Sequence, residues 1–351
     1  MQGLQSKIKE QQQAKLPFVV YCKPNEGVVN GLFQKDTILH QVVDFSEKGF
    51  VFTSFDGTEK YIIPEHFSDR MSFTFQEKTI KIPSATPFLA TKQAQKKFEQ
   101  LVAKGIQAIK EGTFQKVVLS RQEIIDNPNF DLNAVFERLL HNYPSALVYC
   151  FYHPKVGLWL GATPEVLIKT RGTAFETIAL AGTQKITDAQ PIHWKAKEKQ
   201  EQELVTNYIV SQLAQYCEQI EVSSPYTIQA GTISHIRTDI KGILKKEKSL
   251  QQIISLLHPT PAVCGLPMAN AKKFILENEA YNRSFYTGFL GELNIDFCSN
   301  LFVNLRCMQV VRQNIILYMG CGITSGSIPE NEWEESVNKS ITMKNVLKSV
   351  L

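Results

Sequence analysis

A chain of 351 residues, 43% hydrophobic and 21% charged, can bury one large core or two ordinary ones, which excludes disorder as its main state. Its formal charge of +4, with acids and bases interspersed, is too small to point to nucleic acid or a membrane surface, although a small anionic ligand is compatible. Seven scattered cysteines with no C-x-x-C pair suggest neither a disulfide framework nor a zinc site, and buried free thiols fit better.

The N-terminus, MQGLQSKIKEQQQAKLPFVVYCKP, is polar and has no apolar signal core, and no later run reaches the length of a membrane span. A soluble, cytoplasmic protein is expected. Residues 1–90 then mix short β-type runs (FVVYC, GFVFTSF, YIIP) with turn clusters (KPNEG, SFDGTEK), as antiparallel strands joined by loops do. The segment from Thr91 to Gly112 places Phe98, Leu101, Val102, Ile106 and Ile109 at helical spacing, with Thr91 as cap and Gly112 as stop. Strand-like runs follow at FQKVVLSRQEII, ALVYCFYHP, VGLWLGATPEVLIKT and AFETIALAGT.

A long helix is expected across WKAKEKQEQELVTNYIVSQLAQYCEQI, with Leu204, Val205, Tyr208, Ile209, Leu213 and Tyr216 on one side. After YTIQAGTISHIRTDIKGIL come shorter helices at SLQQIISLL and ANAKKFILENEA. LFVNLRCMQVVRQNIILYMGCGI reads as a hairpin. The acidic stretch SIPENEWEESVNK opens a last helix with Ser327 as cap and Pro329 just inside. Helices do not alternate one by one with strands and no linker interrupts the chain, so the pattern favours a single α+β domain with antiparallel sheets over a doubly wound parallel sheet. The N-terminal 1–90 form its β-rich part and 91–351 carry the motifs.

No Walker loop, G-x-G-x-x-G, H-E-x-x-H or G-x-S-x-G occurs, which removes the common nucleotide, zinc-protease and hydrolase readings. Carboxylates and lysines at strand ends and helix starts stand out instead. Glu198 and Glu201 lie in the first turns of one helix. Glu332 and Glu335 share a face of another. Taken singly, such acids only complement a helix dipole, and Glu335 with Lys339 has the spacing of a simple ion pair. Taken together, they could face one another across a cleft and hold Mg²⁺. Lys116 at the head of KVVLS, Glu165 in GATPEV, His235 in TISHIRTDI, Arg306 in VNLRCM and the glycines of MGCGITSG each have an ordinary structural reading as well.

In combination and in this order, these segments closely resemble the chorismate-utilising enzymes, and among them the isochorismate synthases of menaquinone and catechol-siderophore biosynthesis. The resemblance runs from about Phe114 to the C-terminus, through FQKVVLSR, GATPEVLIK, LAGTQ, EKQEQELV, TISHIRTDI, LLHPTPAVCG, NRSFYTGFLGE, VNLRCM and YMGCGITSGSIPENEWEESVNKSITM. It implies two antiparallel sheets packed face to face with helices outside. It implies that Glu201 and Glu335 bind Mg²⁺, with Glu332 and Glu198 as outer acids, and that chorismate is the substrate. By the same resemblance Lys116 activates water for attack at ring carbon 2, and Glu165 assists departure of the hydroxyl from carbon 4. The resemblance further implies that His235 lies near that hydroxyl, that Arg306, Tyr318, Gly320, Gly322 and Lys339 hold the carboxylates, and that Gly182 with Thr183 turns over the ring. A lysine base has to be neutral part of the time, and a glutamate acid needs its pKa raised.

One departure is the KQEQE stretch, where Gln200 and Gln202 flank the metal glutamate in place of the family's histidines and put outer-shell detail in question. The ammonia-using relatives usually carry glutamine where Lys116 stands, so water is the expected nucleophile and no glutaminase subunit is expected. Salicylate synthases tend to have threonine at the place of Ala262 in HPTPAV, so alanine favours stopping at isochorismate, with salicylate synthase as the alternative. Tyr286 does not discriminate. The family is often monomeric, which is the expectation here.

Overall fold

The computed structural model describes residues 2–75, 91–185, 192–230, 233–245 and 250–347. In chain order they form helix α1 (Gln2–Gln13), strands β1 (Phe18–Cys22), β2 (Val28–Gln34), β3 (His40–Gln41), β4 (Gly49–Thr53), β5 (Lys60–Pro64) and β6 (Ser68–Thr74), helix α2 (Lys92–Lys110), strand β7 (Lys116–Asp126), helix α3 (Leu132–Asn142), and strands β8 (Leu147–His153), β9 (Gly157–Thr163), β10 (Val166–Arg171) and β11 (Ala174–Lys185). Then come α4 (Ala196–Leu213), β12 (Cys217–Val222), β13 (Tyr226–Ala230), β14 (Ile233–Leu244), α5 (Leu250–Leu257), β15 (Gly265–Leu266), α6 (Met268–Asn278), β16 (Phe289–Ile295), β17 (Cys298–Val303), β18 (Cys307–Val311), β19 (Asn314–Ile323) and α7 (Pro329–Leu347).

The strands make two sheets. One runs β15-β7-β19-β18-β9-β8-β1-β2-β6, and the other β12-β14-β11-β10-β17-β16-β4-β5-β3 with β13 also paired to β14. Every pair between described strands is antiparallel. Alternation along each strand sends one set of side chains inward and the other toward the helices. The inward set of both sheets meets in an aromatic core of Tyr21, Phe50, Phe52, Tyr149, Phe151, Trp159 and Phe302, joined by Phe285 from the turn before β16. On the outside of the first sheet lie α1, α3 and α7, through Ile8, Phe136 and Val346, together with α2 and α6, through Val102 and Ile275. Helices α4 and α5 cover the second through Val205, Ile209, Leu213 and Ile254. The expected single α+β domain of two face-to-face antiparallel sheets with outer helices is the observed architecture.

Several local expectations need correction. VGLWLGATPEVLIKT is two strands, β9 in the first sheet and β10 in the second, because Pro164 cannot continue a ladder and the chain crosses between layers there. LFVNLRCMQVVRQNIILYMGCGI likewise contains a crossing before its hairpin, since β17 belongs to the second sheet and β18–β19 to the first. The long helix stops at Leu213 and Cys217–Val222 is a strand. Leu204 is exposed, because Val205, Ile209 and Leu213 at four-residue spacing already fill the buried stripe. Helix α3, capped by Asp131 accepting from the Ala134 N–H, and helix α1, which buries Leu4 and Ile8, were not anticipated. The cap of α7 is displaced by one residue. Its first bond runs from the Glu332 N–H to the Ile328 carbonyl, and the Ser327 hydroxyl accepts from the Thr324 N–H instead. Thr91 and Gly112 do bound α2 as expected, the threonine oxygen accepting from Ala94 and the glycine taking a φ of 81°.

A buried ion pair ties these layers near the site. Glu279 at the end of α6 accepts the Ser120 N–H at 2.7 Å and pairs with Arg283 at 2.6 Å, both side chains being 2% exposed. Arg283 also donates to the carbonyls of Val118 and Val263. Breaking such a pair from one side strands a buried charge, at a cost of about 3–5 kcal/mol, whereas the exposed Lys273–Glu277 pair is worth under ~1 kcal/mol. Urea denaturation is expected to report a large loss for Glu279→Ala and almost none for Lys273→Ala.

Candidate active site

The two crossings between sheets lie side by side. The Val303 N–H donates to the Glu165 carbonyl at 2.9 Å, and the Ala162 N–H to the Arg306 carbonyl at 3.0 Å. Glu165 and Arg306 therefore sit where the chain passes between layers, in the wall of a cavity of about 730 Å³. The cavity is lined from the first sheet by Lys116, Ala162 and Gly322 and from the second by Ile178, Gly182, His235 and Arg237. Helix α4 contributes Glu198 and Glu201, α7 contributes Glu332, Glu335 and Lys339, and the loop after α5 contributes Ala262.

Strand β7 turns Val117 and Leu119 toward the helices, and so turns Lys116 inward. Its amine lies 2.7 Å from Glu201 Oε1. Gly322 on the neighbouring strand, paired with Val118, leaves the room, because a Cβ there would stand 3.2 Å from Lys116 Cε. On α7, Lys339 Nζ pairs with Glu335 Oε1 at 2.6 Å and donates to the Gly320 carbonyl at 2.9 Å. Arg306 donates to the Lys339 carbonyl at 3.2 Å. A register shift in β11 between Ala181 and Thr183 bulges Gly182 into a φ of 71°, which glycine adopts without a Cβ penalty. The Gly182 carbonyl then accepts from His235 Nδ1 at 3.0 Å.

Electrostatics separate the titrating groups. Burial pushes the Glu165 carboxyl up to about 7, against the opposing pull of Arg237 and Arg306. Burial draws His235 down from its usual range, helped by the cations Lys339 and Arg306, so at neutral pH its Nδ1–H faces the Gly182 carbonyl and the ring is uncharged. Burial also lowers the pKa of Arg306.

For a metal, Glu332, Glu335 and the Cys321 thiol bring ligand atoms within 4.8 Å of one another. Glu198 Oε2 is buried without a hydrogen-bond partner among the described residues, a state that a cation at that oxygen would relieve.

Of the residues picked from sequence, Lys116, Glu165, His235, Gly182, Ala262, Arg306, Gly322, Lys339, Glu198, Glu201, Glu332 and Glu335 all line this cavity. Gly320 reaches it only through the carbonyl that holds Lys339. Tyr318 does not reach it. Four residues up the strand from Gly322, roughly 13 Å away, its ring stacks between Trp159 and Tyr286 in the aromatic core and its hydroxyl donates to Gln309. The side chain of Thr183 lies outside the described residues; its backbone pairs with His235. Gln202 turns away from the cavity and bonds Thr238 and Thr206, so it is no neighbour of a metal. Arg237 was missed, although the alternation of TISHIRTDI puts it on the same face as His235. It is clamped by Asp239 at 2.6 Å.

The family described as Chorismate binding enzyme matches residues 59–348 of this chain, and the chain belongs to that family. Among its relatives it is 30% identical over 305 residues to the isochorismate synthase EntC of Escherichia coli (strain K12), covering 84% of this chain and 75% of that protein. It is 32% identical over 264 residues to the isochorismate synthase MenF of the same strain, covering 71% and 59%. The fold matches the solved structures of DhbC from Bacillus anthracis, with a TM-score of 0.80, 24% identity and 97% and 99% of the two chains covered, and of MenF from Escherichia coli, with 0.78, 22%, 94% and 88%.

The raised Glu165 pKa makes a stability prediction. A carboxyl at about 7 in the fold and 4.5 in its ordinary state binds more protons folded than unfolded, so stability falls as pH rises between those values and stays reduced above them. The loss amounts to about 3 kcal/mol. Glu165→Gln is expected to match the parent at pH 4 and to exceed it by up to that amount at pH 8, measured by urea denaturation.

Proposed function

We propose that this protein is a Mg²⁺-dependent isochorismate synthase, converting chorismate reversibly to isochorismate as water adds at ring carbon 2 and the hydroxyl leaves carbon 4. The observation that carries this reading is that Lys116 and Glu165, a candidate base and a carboxyl raised to about 7, open into one cavity with four further carboxylates and three further cations. Its relatives named isochorismate synthases support the same assignment.

Glu201 and Glu335 would hold Mg²⁺, with Glu198 and Glu332 beside them; carboxylate oxygens suit this ion, and the Cys321 thiol does not. The chemistry a bound Mg²⁺ supplies is neutralisation of a substrate carboxylate and polarisation of the ring toward a nucleophile. Lys116, in its neutral form, takes the proton of the attacking water, and Gly322 leaves the room for its side chain. Glu165, about half protonated at neutral pH, gives its proton to the departing hydroxyl and recovers it in the reverse direction. Neutral His235, oriented by the Gly182 carbonyl, can hydrogen-bond that hydroxyl without adding positive charge. Arg306 and Lys339 supply cations for the two carboxylates of the substrate, and the carbonyl contact between them sets their spacing. Ala262 in the cavity wall favours release of isochorismate over a further elimination.

Purified protein given chorismate and Mg²⁺ is expected to form isochorismate, with EDTA abolishing the conversion and Lys116→Ala lowering kcat by about 10²–10⁴. No isochorismate, or an unchanged Lys116→Ala, refutes the assignment. Accumulating salicylate and pyruvate, read by fluorescence, would establish the alternative.

A further inference from the structure

Helix α7 presents two stripes. Glu332, Glu335, Lys339 and Thr342 face the cavity, while Trp333, Ser336, Met343 and Leu347 are buried against the first sheet and its helices. Carboxylate oxygens stand roughly 6 Å from a helix axis. A turn of ~10° about that axis moves them by about 1 Å, and a misplacement of ~1 Å can cost ~100-fold in rate. The rotation of α7 therefore matters, and apolar contacts, being non-directional, control it poorly.

One side chain on β7 supplies direction at this point. Arg121 faces the helix layer, five residues along the strand from Lys116. Its Nε donates to Ser336 Oγ at 2.7 Å, and its guanidinium lies 4.3 Å from the centre of the Trp333 ring. Ser336 in turn donates to the Trp333 carbonyl at 2.7 Å, so its hydroxyl is engaged both as acceptor and as donor. The two residues that Arg121 touches are the immediate neighbours of Glu335 and Glu332. Glu123, two residues further on the same face, pairs with Arg121 at 3.3 Å and with Lys344 of α7 at 2.6 Å. Arg121 NH2 is nevertheless buried without a hydrogen-bond partner among the described residues, a cost that an apolar residue would avoid.

We propose that Arg121 is a positioning residue: by gripping Ser336 and Trp333 it fixes the rotation of α7, and with it the placement of Glu332, Glu335 and Lys339 against Lys116. This rests on the Mg²⁺ reading of those glutamates. Arg121→Met keeps the stem and leaves Glu123 paired with Lys344, and Ser336→Ala removes the acceptor of the Arg121 bond together with the hydroxyl's own bond to the Trp333 carbonyl. Arg138→Met is the control, because Arg138 holds the far end of the same helix through the Val346 carbonyl at 2.8 Å. Mg²⁺ affinity of the protein, measured by calorimetry without substrate, is expected to fall at least tenfold in Arg121→Met and about threefold in Ser336→Ala. Arg138→Met is expected to bind as the parent does, even where its melting temperature drops as far. Parent-like Mg²⁺ binding by Arg121→Met, or equal weakening by Arg138→Met, overturns the inference alone. A parent protein that binds no Mg²⁺ overturns the metal reading and this inference with it.

Discussion

The contact on which the arrangement depends is the 2.7 Å pair between Lys116 and Glu201. It joins a strand of one sheet to a helix that packs on the other, across 85 residues of sequence, and thus closes the cavity between two layers whose apolar faces meet elsewhere. Its partial burial, with side chains 14% and 29% exposed, keeps the attraction from being screened as a surface pair would be. A cation taken up by Glu201 would share that carboxylate with the lysine, so the state of the amine and the occupancy of the acidic cluster are coupled through one group.

The second determinant is topological. The chain passes between sheets at 164–165 and again at 304–306, and backbone bonds tie the two passages together. A carboxylate at such a passage loses water on most sides, which is the main cause of the raised Glu165 pKa. The cations Arg237 and Arg306 limit the rise and leave the group able to give and regain a proton near neutrality. Residues at turns between strands of the same sheet would have stayed solvated, so the chemistry follows from where the strands change layers.

Much of this was legible in the sequence because the periodicities are local. The 3.6-residue stripe of α2, its threonine cap and its glycine stop are set by nearest neighbours along the chain, whereas the facing of Lys116 follows only from the packing of Val117 and Leu119 against the helices. The crossings were not legible, since Pro164 in one run, and Asn304 and Arg306 in the other, are brief interruptions in apolar stretches that read equally well as a long strand or a hairpin. Tyr318 illustrates the same limit: its motif groups it with the carboxylate-holding residues, and only the packed sheets decide that Trp159 and Tyr286 enclose it. Gln202, adjacent to Glu201 and yet directed at Thr238, follows from the roughly 100° turn per residue of a helix, which a motif read as a string does not resolve. Arg121 carried no signal of its own, because its role depends on which helix covers β7.

The central claim is that these separated groups converge to add water to chorismate. Incubation of the protein with chorismate and Mg²⁺ in ¹⁸O-labelled water, followed by mass spectrometry of the ring product, tests it most directly. The account predicts isochorismate heavier by one ¹⁸O, located at the carbon 2 hydroxyl. Unlabelled isochorismate, which would mean transfer of the substrate's own hydroxyl, or no ring product at all, would contradict it.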